Sequence, residues 1–142
     1  MPNEVATKPI PIPDELSEAF WSAASEHRLA IQRCQQCQAY YHPPVSLCPV
    51  CHSEDLRHEN VSGRGKIYSF TITHDARTAA FEALQPYAIV WVQLEEMPGE
   101  PKLIANMPDT PIDDVQCGAS VEVDFEDLAE GVSLPQFRLT NY

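Results

Sequence analysis

Four cysteines constrain this chain more than any other feature. Cys34 and Cys37 form one C-x2-C hook, and Cys48 and Cys51 form a second after ten intervening residues. Each hook lets two thiolates converge from one tight turn, and the linker is just long enough to fold back, as a tetrahedral metal site requires. The two hooks read as the knuckles of a zinc ribbon, with Cys34, Cys37, Cys48 and Cys51 holding a structural Zn²⁺. Iron in a rubredoxin-type site and a redox dithiol are the alternatives. A thioredoxin-type C-x-x-C opens a helix within a βαβ unit, and no such pattern surrounds these cysteines.

So small a ribbon cannot fold by packing alone, and the metal supplies the missing free energy. The rest of the 142 residues, 44% of them hydrophobic, suffices for one further small domain with a core of its own. No apolar run is long enough to span a bilayer, and the first residues lack the layout of a secretory signal. One spare cysteine beside four in metal spacing fits a reducing cytoplasm better than a disulfide framework.

Charge excludes one class of partner. The formal net charge is −12, whereas a protein that lives on phosphate backbones is normally basic. Nucleic-acid binding by the whole surface is therefore not expected. The charge is uneven: residues 28–77 carry six cations (Arg28, Arg33, Arg57, Arg64, Lys66, Arg77) against four acids, leaving three cations and seventeen acids elsewhere. The zinc segment and its sequel form the stretch where an anion would be welcome, although cations that simply offset neighbouring acids give the same count.

Periodicity supplies the remaining elements. The proline-rich residues 1–13 read as an extended arm. Asp14 suits a helix N-cap, and Leu16, Ala19, Phe20, Ala23, Ala24 and His27 fall on one face of a helix of about three to four turns. Short strands from Leu29, Tyr40 and Leu56 frame the ribbon, with Tyr40 and Tyr41 covering the metal cluster or docking on the next domain. After Gly63 and Gly65 the period becomes two: Tyr68, Phe70, Ile72 and His74 share one face of a strand. Tyr87 to Leu94 reads as a strand covered on both faces. Pro101 to Met107, the alternating Val121, Val123 and Phe125, and a last strand through Phe137 and Leu139 follow. The expected fold is mainly β: an N-terminal helix with its arm (1–27), a rubredoxin-like zinc ribbon (28–62) and a five-stranded OB-fold-like barrel (63–142), with a β-sandwich fragment as the alternative to the barrel.

Phe20-Trp21, the two cysteine hooks with Arg33 before the first, GRGKIYSFT from Gly63, PYAIV from Pro86 and GASVEV from Gly118 together resemble the acyl-CoA-associated OB-fold family, also called domain of unknown function 35. The resemblance covers roughly residues 14–140. It implies a non-catalytic accessory subunit of a thiolase-like enzyme, or of an acyl-CoA hydratase or aldolase, whose ribbon and barrel bridge subunits and help hold the CoA thioester. The acidic segment Glu95–Pro101 departs from the short glycine turn usual between the second and third barrel strands.

Within that picture Arg64 and Lys66, framed by glycines at the ribbon–barrel junction, are the candidates to meet CoA phosphates; two solvated turn cations are the bland alternative. No catalytic residue is expected. Cys117 lies near Asp113 and Asp114, which make a thiol less reactive, and reads as a small buried residue. His42 and His52 beside the knuckles read as supporting or exposed groups, and His74 as a rim histidine. The rival functions are a nucleic-acid-binding ribbon and barrel, and a rubredoxin-like electron carrier, whose knuckles usually carry glycine where Gln38 and His52 stand here.

Overall fold

The computed structural model describes residues 7–141; the beginning of the expected arm, residues 1–6, lies outside the described residues. Residues 7–13 form no helix or strand. They are tied down by Lys8, whose ammonium donates to Glu126 at 2.6 Å and lies 5.7 Å from the centre of the Phe81 ring.

Helix α1 (Glu18–Ser25) is shorter than the periodicity suggests. Asp14 and Ser17 close the turn before it by bonding reciprocally: the Ser17 amide donates to the Asp14 carboxylate at 2.8 Å, and the Asp14 amide to the Ser17 hydroxyl at 3.0 Å. Leu16 ahead of the helix is 41% exposed, so burial begins at Phe20 and continues through Ala23 and Ala24. His27 follows the helix with φ 57°, in the left-handed region where glycine is commoner. Its ring stacks on Phe125 (5.2 Å, 5° between planes) and its Nε2 lies 2.7 Å from Asp127, so the residue that ends the helix also pins it to the barrel.

The ribbon is a three-stranded antiparallel sheet in the order β2-β1-β3, with β1 Ala30–Cys34, β2 Tyr40–Tyr41 and β3 Leu56–Asn60. The second sheet has the order β6-β5-β4-β7-β8 and is antiparallel throughout. Its strands are β4 Arg64–Thr73, β5 Tyr87–Leu94, β6 Leu103–Asn106, β7 Ser120–Ala129 and β8 Val132–Leu139. A short helix α2 (Ala79–Glu82) lies between β4 and β5, and a 3₁₀ turn (Ile112–Asp114) between β6 and β7. The outer strands β6 and β8 approach each other and curl the sheet into a barrel.

Two strand readings are corrected. A β-bulge between Ile67 and Ser69 sets two residues of β4, Tyr68 and Ser69, against Trp91. Such a bulge puts both on one side and breaks the alternation. Tyr68 therefore points away from Phe70, which pairs with the core residue Val90. Strand β5 is covered on one face only: Ala88, Val90, Val92 and Leu94 are buried, whereas Trp91 is 41% exposed.

One hydrophobic cluster runs through all three parts of the chain. Phe20 from α1 and Leu29 and Ile31 from the ribbon are buried with Val90, Val92, Leu103, Val121 and Phe137 of the barrel, and Trp21 and Tyr40 pack against them.

Candidate metal centre and junction groove

Strand β1 delivers Cys34, and the chain then turns so that the Gln38 amide donates to the Cys34 carbonyl at 2.9 Å. The second knuckle repeats this: the His52 amide donates to the Cys48 carbonyl at 2.9 Å. Gln38 and His52 adopt φ 67° and 61°. That is the physical reason glycine is favoured at this knuckle position, and here two residues with Cβ atoms take the strain instead.

The knuckles bring four sulfurs together. Cys34 Sγ lies 3.5 Å from Cys51 Sγ, Cys37 Sγ lies 3.5 Å from Cys48 Sγ, and all four fall within 4.8 Å of one another. A tetrahedron of Zn–S bonds of about 2.3 Å has edges of about 3.8 Å, so the donor set fits that ion. The first cysteine of each knuckle is buried, while Cys37 is exposed and Cys51 half-buried.

Two residues order the shell around the sulfurs. Tyr41 Oη lies 3.0 Å from Cys48 Sγ, placed to donate to the thiolate. That bond, with burial, pushes the Tyr41 hydroxyl up to about 12, so it stays a donor. Burial works against ionising Cys48, yet the Tyr41 hydroxyl and the amides of Cys51 and Val50 bring its thiol down to about 6. Gln32, buried in β1, receives the Val45 amide at 2.8 Å and donates back to the Val45 carbonyl at 2.9 Å, fixing the linker between the knuckles. Gln32 escaped the sequence reading; a glutamine continuing the apolar run Leu29–Ile31 was its signal. His52 is exposed, and His42 packs its ring 4.9 Å from that of Phe20.

Arg64 and Lys66 line an open groove of about 470 Å³ with Gln93, Glu95, Pro98 and Ser120. Arg64 pairs with Glu95 at 3.2 Å, and neighbouring Glu96 accepts from the Ser62 amide at 2.6 Å and hydroxyl at 2.9 Å. The acidic loop is thus folded back on the junction. The glycines around Arg64 have structural reasons. A Cβ on Gly63, which has φ 77°, would lie 2.3 Å from Val123 Cγ1, and one on Gly65 would lie 2.3 Å from the Gln93 carbonyl oxygen. The local cation surplus is largely paired as well: Arg33 with Glu59, Arg57 with Asp55 and Arg77 with Asp75.

Four thiolates on one ion leave no position for water, so such a site cannot generate a nucleophile. Cys117, expected to be buried, is exposed, because it sits in the turn that ends at Gly118. Ser133, Asp127 and His27 do meet, but Ser133 donates to Asp127 at 2.6 Å and His27 contacts that same oxygen. A hydroxyl bonded to the carboxylate rather than to the imidazole is not activated.

Residues 21–57 match the profile of the ChsH2 rubredoxin-like zinc ribbon domain, and residues 58–126 that of the ChsH2 C-terminal OB-fold domain. The chain is also 31% identical over 119 residues to a DUF35 domain-containing scaffold protein of Methanocaldococcus jannaschii, with 82% of each chain covered. This chain belongs to the DUF35 family. Its cofactor is a structural zinc ion, its barrel an OB fold. A second DUF35 domain-containing scaffold protein, from Pyrococcus furiosus, is 28% identical over 111 residues and covers 78% of each chain. Identity is 36% over 121 residues to the "Probable enoyl-CoA hydratase alpha subunit" of Thermomonospora curvata; the match covers 84% of this chain but 36% of that longer protein. Among solved structures, a chain of the Ltp2-ChsH2(DUF35) aldolase superposes with a TM-score of 0.81 at 32% identity, covering 91% of this chain and 98% of that one. No helix among the described residues is long and apolar enough to cross a membrane.

Proposed function

We propose that this DUF35 chain is a non-catalytic accessory subunit in which Cys34, Cys37, Cys48 and Cys51 hold zinc to stiffen a platform that binds an acyl-CoA-processing enzyme. The observation that carries the reading is the superposition along 98% of a chain of an Ltp2-ChsH2(DUF35) aldolase. The kinship with scaffold proteins and the saturated sulfur cluster support it. The partner is a thiolase-like, hydratase or aldolase subunit of an acyl-CoA pathway. The chain purified from its native source should bring such an enzyme with it, identified by mass spectrometry, and should turn over no thioester alone. Recovery without any CoA-thioester enzyme refutes the reading.

Arg64 and Lys66 are the groups proposed to meet CoA phosphates in the junction groove. Glu95 competes for Arg64 there, so the isolated chain binds CoA weakly and tightening requires displacement of that carboxylate. Calorimetry with CoA should show weaker binding for Arg64→Ala/Lys66→Ala and stronger binding for Glu95→Gln. Unchanged affinities in both variants place the phosphates elsewhere.

A further inference from the structure

The outer face of the barrel sheet across β4, β5 and β6 takes no part in the sites above. The ladders set Tyr68 and Ser69 opposite Trp91, and Trp91 opposite Ile104. Tyr68, Trp91 and Ile104 are 54%, 41% and 68% exposed. Three large hydrophobic side chains thus stay open side by side on one face, a contiguous patch of the kind that marks interaction sites. A standard interface takes about 800 Å² from each partner, so this face can supply the apolar centre of one.

The rings are already ordered. Tyr68 and Trp91 meet edge to face at 5.9 Å. Lys102 Nζ lies 4.3 Å from the Tyr68 ring centre and 5.6 Å from that of Trp91, and donates to Glu100 at 2.7 Å. The Lys102 side chain is 7% exposed, a rivet beneath two aromatic anchors. Anchors fixed in advance lose little entropy on binding.

Charge selects the occupant. From Tyr68 to Thr73, and throughout β5 and β6, there is no charged residue, in a chain of net charge −12. A second copy would bring −12 against −12, which opposes self-association. Nucleic acid would need several cations around the rings; Lys102 stands against both rings but is committed to Glu100. We infer that this face docks the acyl-CoA-processing enzyme subunit, through an aliphatic patch of that subunit bordered by basic residues. The inference rests on the accessory-subunit reading.

Tagged full-length wild-type, Ile104→Glu and Ile12→Glu chains test it in native-source extract, with the captured enzyme identified and quantified by mass spectrometry. Ile12, 92% exposed in the segment before α1, controls for a surface charge elsewhere. Zinc content and circular dichroism should match across all three proteins. Ile104→Glu should lower recovery of the enzyme by about tenfold or more, and Ile12→Glu should leave it unchanged. Equal recovery by all three overturns the docking face while the accessory reading stands; no enzyme with wild type overturns both. A concentration-dependent dimer of the isolated wild type that Ile104→Glu abolishes assigns the face to a second copy and overturns the inference. So does salt-sensitive binding of oligo-dT that Ile104→Glu abolishes.

Discussion

Tyr41→Phe isolates one atom of the metal site. The ring keeps its place, and what disappears is the hydroxyl 3.0 Å from Cys48 Sγ. Cys48 is wholly buried, so no bulk water replaces the lost donor. The backbone amides of Cys51, at 3.5 Å, and of Val50 are then left to support the thiolate. A hydrogen bond to a charged acceptor is worth about 1.5–3 kcal/mol, and outer-shell substitutions at metal sites cost about 10–100-fold in affinity. Both routes predict a fall in zinc affinity of about 10–100-fold, measured by competition against a chromophoric chelator at fixed pH. Tyr40→Phe is the control, because the Tyr40 ring packs under the Arg33 guanidinium at 4.5 Å rather than against a sulfur. A change below about twofold for Tyr41→Phe, or an equal loss for Tyr40→Phe, refutes the assignment of that hydroxyl to the thiolate.

Three further outcomes are expected. Cys48→Ser removes a fully buried ligand; the purified variant should lack stoichiometric zinc and lose ribbon structure while keeping barrel strands that melt earlier, by metal analysis and thermal circular dichroism. Gly65→Ala forces a Cβ to within 2.3 Å of the Gln93 carbonyl, so urea unfolding should show a loss of about 1–3 kcal/mol or more, and wild-type stability would mean that β4 and β5 lie farther apart. His42 is held below its usual value by burial and then by the charge of His58, and His58 by burial. Their folded pKa values are depressed, so the unfolded chain takes up protons first: stability is complete above about pH 6.5 and is lost as pH falls through the folded values. His42→Phe should flatten the acid side of the stability–pH curve at constant zinc content; parallel curves would contradict this.

Features set by local chemistry were legible in the sequence, and those set by partners distant in the chain were not. Two C-x2-C hooks define their knuckles without tertiary information, which is why the ribbon and its closed sulfur cluster could be read from spacing. The alternation of Val121 and Val123 likewise announced β7. Tyr68 misled because a bulge adds a residue that no period-two rule registers. Trp91 misled because an apolar strand looks the same whether one face or two are covered. Helix α1 ended early at its start because Asp14 and Ser17 satisfy each other in a separate turn. At the junction, Gly63 and Gly65 were visible as a frame around Arg64, but the neighbours that require them, Val123 and the β5 backbone, lie far along the chain and were not legible.

Helix, ribbon and barrel share one interior, with Ile31 on the strand that delivers Cys34 and Val92 beneath the aromatic face. Loss of the ion therefore cannot stay confined to the knuckles: it withdraws wall from the compartment that keeps Trp91 and Tyr68 upright. On the docking face proposed above, assembly would then discriminate between loaded and empty copies without a dedicated checkpoint, because an empty copy would present a softened grip.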